Sequence, residues 1–206
     1  MVDLIVWVAD VGSIKNKKFG WCRSTSPRDT TVTGTEIVKF VEGIANDISE
    51  GKRISLGFEC PLFVPVTEDP VGLTSARKGE GDRAWSAGAG CGALAVGLTE
   101  TVWVFEQLKK LSKREIVPTF TWDTFVSGEG NLFIWEAFVT KQAKVLSHHG
   151  DAQVAVSSFW SIVPNVTTAN SVEADNPFSL VGAALLRSGL TINLDFLVTP
   201  VVVIRS

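Results

Sequence analysis

Leu4-Ile5-Val6-Trp7-Val8-Ala9-Asp10 is the stretch on which the fold turns. It is a short apolar run that ends in a carboxylate, and it reads as the first core strand. Val11-Gly12-Ser13 and the basic turn Lys15-Asn16-Lys17-Lys18 follow, and Phe19-Gly20-Trp21-Cys22-Arg23 returns as a second strand. The polar turn supplies the reversal of a hairpin. Thr30 to Thr33, rich in Thr and Val, extends it as a third short strand.

Helices and further strands alternate from there. Thr35 is the expected N-cap of a helix whose stripe is Ile37, Val38, Val41, Ile44, Ala45 and Ile48, ended by Glu50-Gly51. Ile54 to Phe58 is the next apolar strand, and Glu59 stands at its C-terminal edge before Cys60-Pro61-Leu62. Phe63 to Ala87 is a long polar connection, of a length that usually carries function in a compact domain. Gly88 to Lys110 reads as a helix rich in small residues. Leu132 to Trp135 is a buried strand closed by Glu136, and Asp151 opens a helix running through Trp160. There the helix dipole favours negative charge. A helix over about Phe178 to Arg187 and a strand from Val198 to Ile204 end the chain. A meander followed by strand–helix alternation implies an α/β fold, a mixed sheet with helices on both faces. The 206 residues fit a single domain, with residues 177–206 as an extension.

Composition narrows the function. The chain is 45% apolar and 20% charged, which is ordinary for a folded soluble protein. The Met1-Val2-Asp3 start has no basic leader, no run reaches about 18 unbroken apolar residues, and Cys22, Cys60 and Cys91 lack metal-type spacing. Those features point to a cytoplasmic protein with reduced thiols and no membrane partner. A formal net charge of −3 argues against broad, non-specific duplex binding, which draws on many Lys/Arg–phosphate contacts. It leaves open nucleic acid held by local basic patches. Gly88-Ala89-Gly90-Cys91-Gly92-Ala93 matches G-x-G-x-x-A but follows no strand, and no P-loop sequence is present.

Three acids take equivalent places: Asp10, Glu59 and Glu136 each end a strand. With those strands adjacent and parallel, the carboxylates converge outside the C-terminal edge of the sheet, where open α/β sheets bind ligands. Asp151 can project into the same space. Clustered carboxylates repel unless cations neutralise them, and oxygen ligands suit Mg²⁺ or Mn²⁺. Two such ions can activate water and stabilise a leaving oxygen. Around this set, Lys15, Lys18, Arg77, Arg83 and His149 are candidates to contact substrate, and His148 stands beside them.

The segments Asp10-Val11-Gly12-Ser13 before Phe19-Gly20-Trp21, Leu56-Gly57-Phe58-Glu59-Cys60-Pro61-Leu62, and Asp151-Ala152 opening an Ala-rich helix resemble the ribonuclease H-like superfamily. Gly88 to Trp103 and Ile134-Trp135-Glu136-Ala137-Phe138 add to a likeness with the family described as predicted nucleases of ribonuclease H fold. The resemblance spans roughly residues 3 to 188. It implies a ribonuclease H-like mixed sheet and a metal-dependent phosphodiester hydrolase. Asp10, Glu59 and Asp151 would be metal-binding acids, and Glu136 a fourth ligand or a base that positions water. The chain departs from the superfamily in Glu136, which ends a strand where those enzymes commonly place acids on or near the last helix. Two other functions stay open: a non-catalytic binding module, and an actin-like phosphotransferase whose first phosphate loop Asp10-Val11-Gly12-Ser13 resembles. The oligomeric state is not legible.

Overall fold

The structure is a computed structural model, and it describes residues 4–81, 84–140, 142–145 and 147–206. It is α/β, built on a mixed sheet. The apolar run forms β1 (Leu4–Asp10), buried over nearly its whole length. Ser13 caps a single 3-10 turn at Ile14–Asn16, and Lys17 takes a left-handed conformation to close it. The chain then returns as β2 (Gly20–Ser24), antiparallel to β1. β3 (Val32–Gly34) adds a further antiparallel strand and starts two residues later than its Thr and Val content suggests.

The first long helix, α1 (Ile37–Ser49), buries Phe40, Val41, Ile44, Ala45 and Ile48 against the sheet. Its N-cap position is Glu36, not Thr35, and no side chain caps it. Burial of the apolar stripe therefore anchors this helix, consistent with tertiary packing supplying most helical stability. β4 (Arg53–Phe58) lies parallel to β1, with Val8 opposite Gly57.

The long connection after it is more ordered than its polarity implies. β5 (Phe63–Pro65) pairs with β8 (Pro177–Ser179), and a 3-10 turn spans Pro70–Thr74. α2 (Gly88–Leu111) packs its C-terminal half on α1 and on α5 (Leu180–Ser188). It is long and apolar enough to cross a membrane by length and composition, which the unbroken-run criterion missed because Thr99, Glu100 and Thr101 interrupt it. Its buried residues nonetheless include Glu100 and Thr101, held within the fold.

β6 (Pro118–Thr119) and α3 (Trp122–Ser127) precede β7 (Leu132–Phe138), which is parallel to β4. α4 (His148–Ile162) covers β1 and β2 from the other face. The sheet order is β3-β2-β1-β4-β7-β6, and β9 (Val203–Arg205) also pairs with β7. One apolar core lies under α1, α2 and α5, and a second under α3 and α4. Residues 177–206 are tied in at three places, β8 on β5, α5 on α2 and β9 on β7. The C-terminal strand is shorter than the stretch 198–204: its ladder with β7 begins at Val203, just after the Val202 carbonyl accepts from the Glu136 N–H.

Trp122 is buried against Phe125, Phe133 and Phe159. Trp85 donates its ring N–H to the Ser75 carbonyl.

Candidate metal centre

Three parallel strands end side by side, and this register builds the site. Asp10 is the last residue of β1, Glu59 follows β4, and Glu136 lies in β7 opposite Phe58. The Glu59 N–H donates to the Ala9 carbonyl at 2.8 Å, which ties the two strand ends together. Asp151 arrives from the opposite side, in the first turn of α4, whose Ser147 cap accepts from the Gly150 N–H. Gly20 makes that approach possible. A side chain there would overlap the backbone of His148 and His149, so only glycine lets the start of α4 rest on β2.

Ligand atoms of Asp10, Glu59 and Asp151 all lie within 4.8 Å of one another, and all three residues are buried. Lys144, from the segment before α4, reaches into this group. Its Nζ is 2.8 Å from Glu59 Oε1 and 3.2 Å from Asp151 Oδ2. The second Asp151 oxygen accepts from the Val145 N–H at 2.7 Å. His148 Nδ1 lies 2.5 Å from Asp10 Oδ2. Glu59 Oε2 is buried and meets no donor.

Electrostatics follow from this packing. Burial raises the Asp10 carboxyl from 3.8 to about 7, against the pull of Lys144 and a hydrogen bond with Glu59. Burial and the charge of Asp10 raise Glu59 from 4.5 to about 8. Burial works against the Lys144 ammonium too, but Glu59, Asp10 and Asp151 outweigh it and hold it above its ordinary value. One ammonium therefore does not compensate three acids, and protons supply the remaining positive charge near neutrality.

Glu136 belongs to a different network, which corrects the expectation of a fourth metal ligand. Its Oε1 accepts from Arg77 Nη2 at 2.6 Å, and its Oε2 from Arg77 Nη1 at 2.8 Å and the Leu62 N–H at 2.9 Å. Arg77 also binds Glu80 and stacks over Phe63. A side chain that is 0% exposed cannot reach for substrate, so Arg77 is a buried strut and not a substrate contact. The cause is the buried guanidinium: Arg77 engages both Glu80 and Glu136, so Glu136 borders the cleft with its carboxylate already held.

The remaining candidates divide. Lys18 and His148 line a cleft of about 460 Å³ together with Asp10, Glu59 and Lys144, and small residues of α2 from Ala89 to Val96 form one wall. Lys15 is exposed on the 3-10 turn and is absent from that lining. His149 is also exposed and sits beside the Ser147 hydroxyl, so of the two histidines it is His148 that meets the acids. Arg83 lies outside the described residues.

Two residues escaped the sequence reading. Lys144 carries no local signal, being one lysine in an irregular segment. Glu100 did have one, as the sole charged residue between Gly88 and Phe105. It is buried, close enough to raise Asp10, and is itself raised to about 7 by burial against a hydrogen bond from the Gly12 backbone. Gly97 keeps α2 close at this point, since a side chain there would overlap Cys60.

Three buried oxygen donors from three elements, one with an unsatisfied oxygen, could hold a hard metal cation. No protein-family model matches the chain, and no curated protein or solved structure is significantly similar to it.

Proposed function

We propose that the chain is a metal-dependent phosphodiester hydrolase acting on nucleic acid, with a ribonuclease H-like fold. The observation that carries this reading is the convergence of Asp10, Glu59 and Asp151, with the buried Glu59 Oε2 left without a donor. An antiparallel β3-β2-β1 meander continued by parallel β4 and β7 agrees with that fold.

Asp10, Glu59 and Asp151 would hold the Mg²⁺ or Mn²⁺ ion. Bound there, the ion would lower the pKa of a water and offset charge on a phosphoryl oxygen. The protein's own groups do the rest. His148, anchored on Asp10 and lining the cleft, holds a proton at an imidazole nitrogen for exchange with a leaving oxygen or an incoming water. Lys18 and Lys144 place positive charge on the cleft wall, where a phosphate would lie. The apolar wall of α2 keeps bulk water off one side.

Lys144 also favours a second reading. A lysine already pairs two of the three acids, as it would in a binding module that keeps the fold without catalysis.

Incubation with single-stranded and duplex DNA and RNA, with Mg²⁺, Mn²⁺ or chelator, separates the two. The hydrolase reading expects metal-dependent cleavage that falls at least a hundredfold in Asp10→Asn. Binding without cleavage, equal in the presence of chelator, would support the module instead.

A further inference from the structure

The place of Lys144 among the three acids sets how many cations they can take. Two-ion phosphodiesterases hold their metals roughly 3.5–4 Å apart, bridged and flanked by carboxylates. Each ion needs its own set of oxygen donors. Here the oxygens are already divided. Asp151 gives one to the Val145 N–H and the other to Lys144 Nζ. Glu59 gives Oε1 to the same ammonium, and Asp10 gives Oδ2 to His148. Glu59 Oε2 remains buried and meets no donor. The ligand atoms of the triad, all within 4.8 Å of one another, span about what a single ion with oxygens at 2.0–2.6 Å covers.

Charge leads to the same count. Counting the triad and Lys144 alone, the net charge is two negatives, which one divalent cation cancels. A second divalent cation would leave an excess of two positives in a buried site, where uncompensated charge is costly.

We propose that Lys144 holds the position of a second cation, so that Asp10, Glu59 and Asp151 take a single divalent ion. This rests on the metal-centre reading above and replaces the two ions expected from the sequence. The ammonium Nζ between Glu59 and Asp151 supplies the fixed positive charge that a second ion would otherwise bring. Its side chain is 35% exposed and lines the cleft, so the same ammonium can donate to a phosphoryl oxygen of the substrate. An ammonium cannot act as a Lewis acid as a metal does, but it supplies charge and hydrogen bonds and needs no uptake from solution, so one bound ion completes the site.

The test is a calorimetric titration of the full chain with Mn²⁺ at pH 8, with the number of ions bound per chain as the readout. Wild type is expected to bind one ion. Lys144→Met is expected to bind two, the second more weakly, and Lys144→Arg to return to one because the guanidinium restores the charge. Two ions in wild type, or one ion in Lys144→Met with unchanged affinity, would overturn the assignment. No binding by wild type would overturn the metal-centre reading itself, a result distinct from a wrong count. The wild-type titration alone keeps the proposal falsifiable should Lys144→Met fail to fold.

Discussion

Replacing Glu59 with Gln should make the metal-free protein more stable, and only at high pH. In the folded chain Glu59 ionises at about 8, raised from 4.5 by burial and by Asp10. A group that holds its proton more tightly when folded gives stability that is fully present below pH 4.5 and is lost as pH rises through about 8. At 1.36 kcal/mol for each tenfold change, that loss at pH 8 amounts to about 4 kcal/mol, against about 1 kcal/mol at pH 5. Asp10 shares the proton and Lys144 shares the charge, so about half of the loss at pH 8, roughly 2 kcal/mol, belongs to Glu59 alone. Glu59→Gln removes that penalty. For a chain of this length 1 kcal/mol shifts Tm by about 2–4 °C, so the variant should melt roughly 4–8 °C higher at pH 8. At pH 5 the two should melt together. Scanning calorimetry in chelator across pH 5 to 8 measures this directly. A lower Tm for Glu59→Gln at pH 8, or a difference that does not change with pH, would refute the electrostatic reasoning.

Glu136→Gln should act in the opposite sense. It breaks a fully buried pair with Arg77, so stability should fall by about 3 kcal/mol, or roughly 6–12 °C in Tm, in a thermal melt with or without metal. Lys144→Met in chelator at pH 8 should lose about 1–2 kcal/mol, since its two ion pairs are only half-shielded. Mn²⁺ should then raise its Tm by more than it raises that of wild type; an equal rise would show that the ammonium does not screen the acids. Mn²⁺ affinity should weaken as pH drops from 8 to 6, by roughly tenfold per unit for each proton displaced from Asp10 or Glu59, and titrations at fixed ionic strength would show it.

The strands that frame the site were readable because each is a short apolar run ended by a charge. Leu4–Asp10 and Arg53–Phe58 sit almost where the run of apolar residues puts them. β5, β6 and β8 were not, because two or three residues with prolines carry too little pattern, and only their partners make them strands. Strand ends pointed to Asp10 and Glu59, and the first-turn position to Asp151, the three acids the structure brings together. The same rule misassigned Glu136. Whether a strand-end acid faces a cation or an arginine depends on Arg77, which lies 59 residues away in sequence. Lys144 and the choice of His148 over His149 rest equally on tertiary placement, namely how closely α4 approaches β2 across Gly20.

The central claim is that Asp10, Glu59 and Asp151, and not Glu136, jointly bind a divalent cation. Loss of the free Mn²⁺ electron paramagnetic resonance signal on adding protein measures that binding directly. Wild type and Glu136→Gln should bind alike under conditions where both are folded, and Asp10→Asn, Glu59→Gln and Asp151→Asn should each weaken binding at least tenfold. A wild type that leaves the free-ion signal untouched, or triad variants that bind as wild type does, would contradict the account.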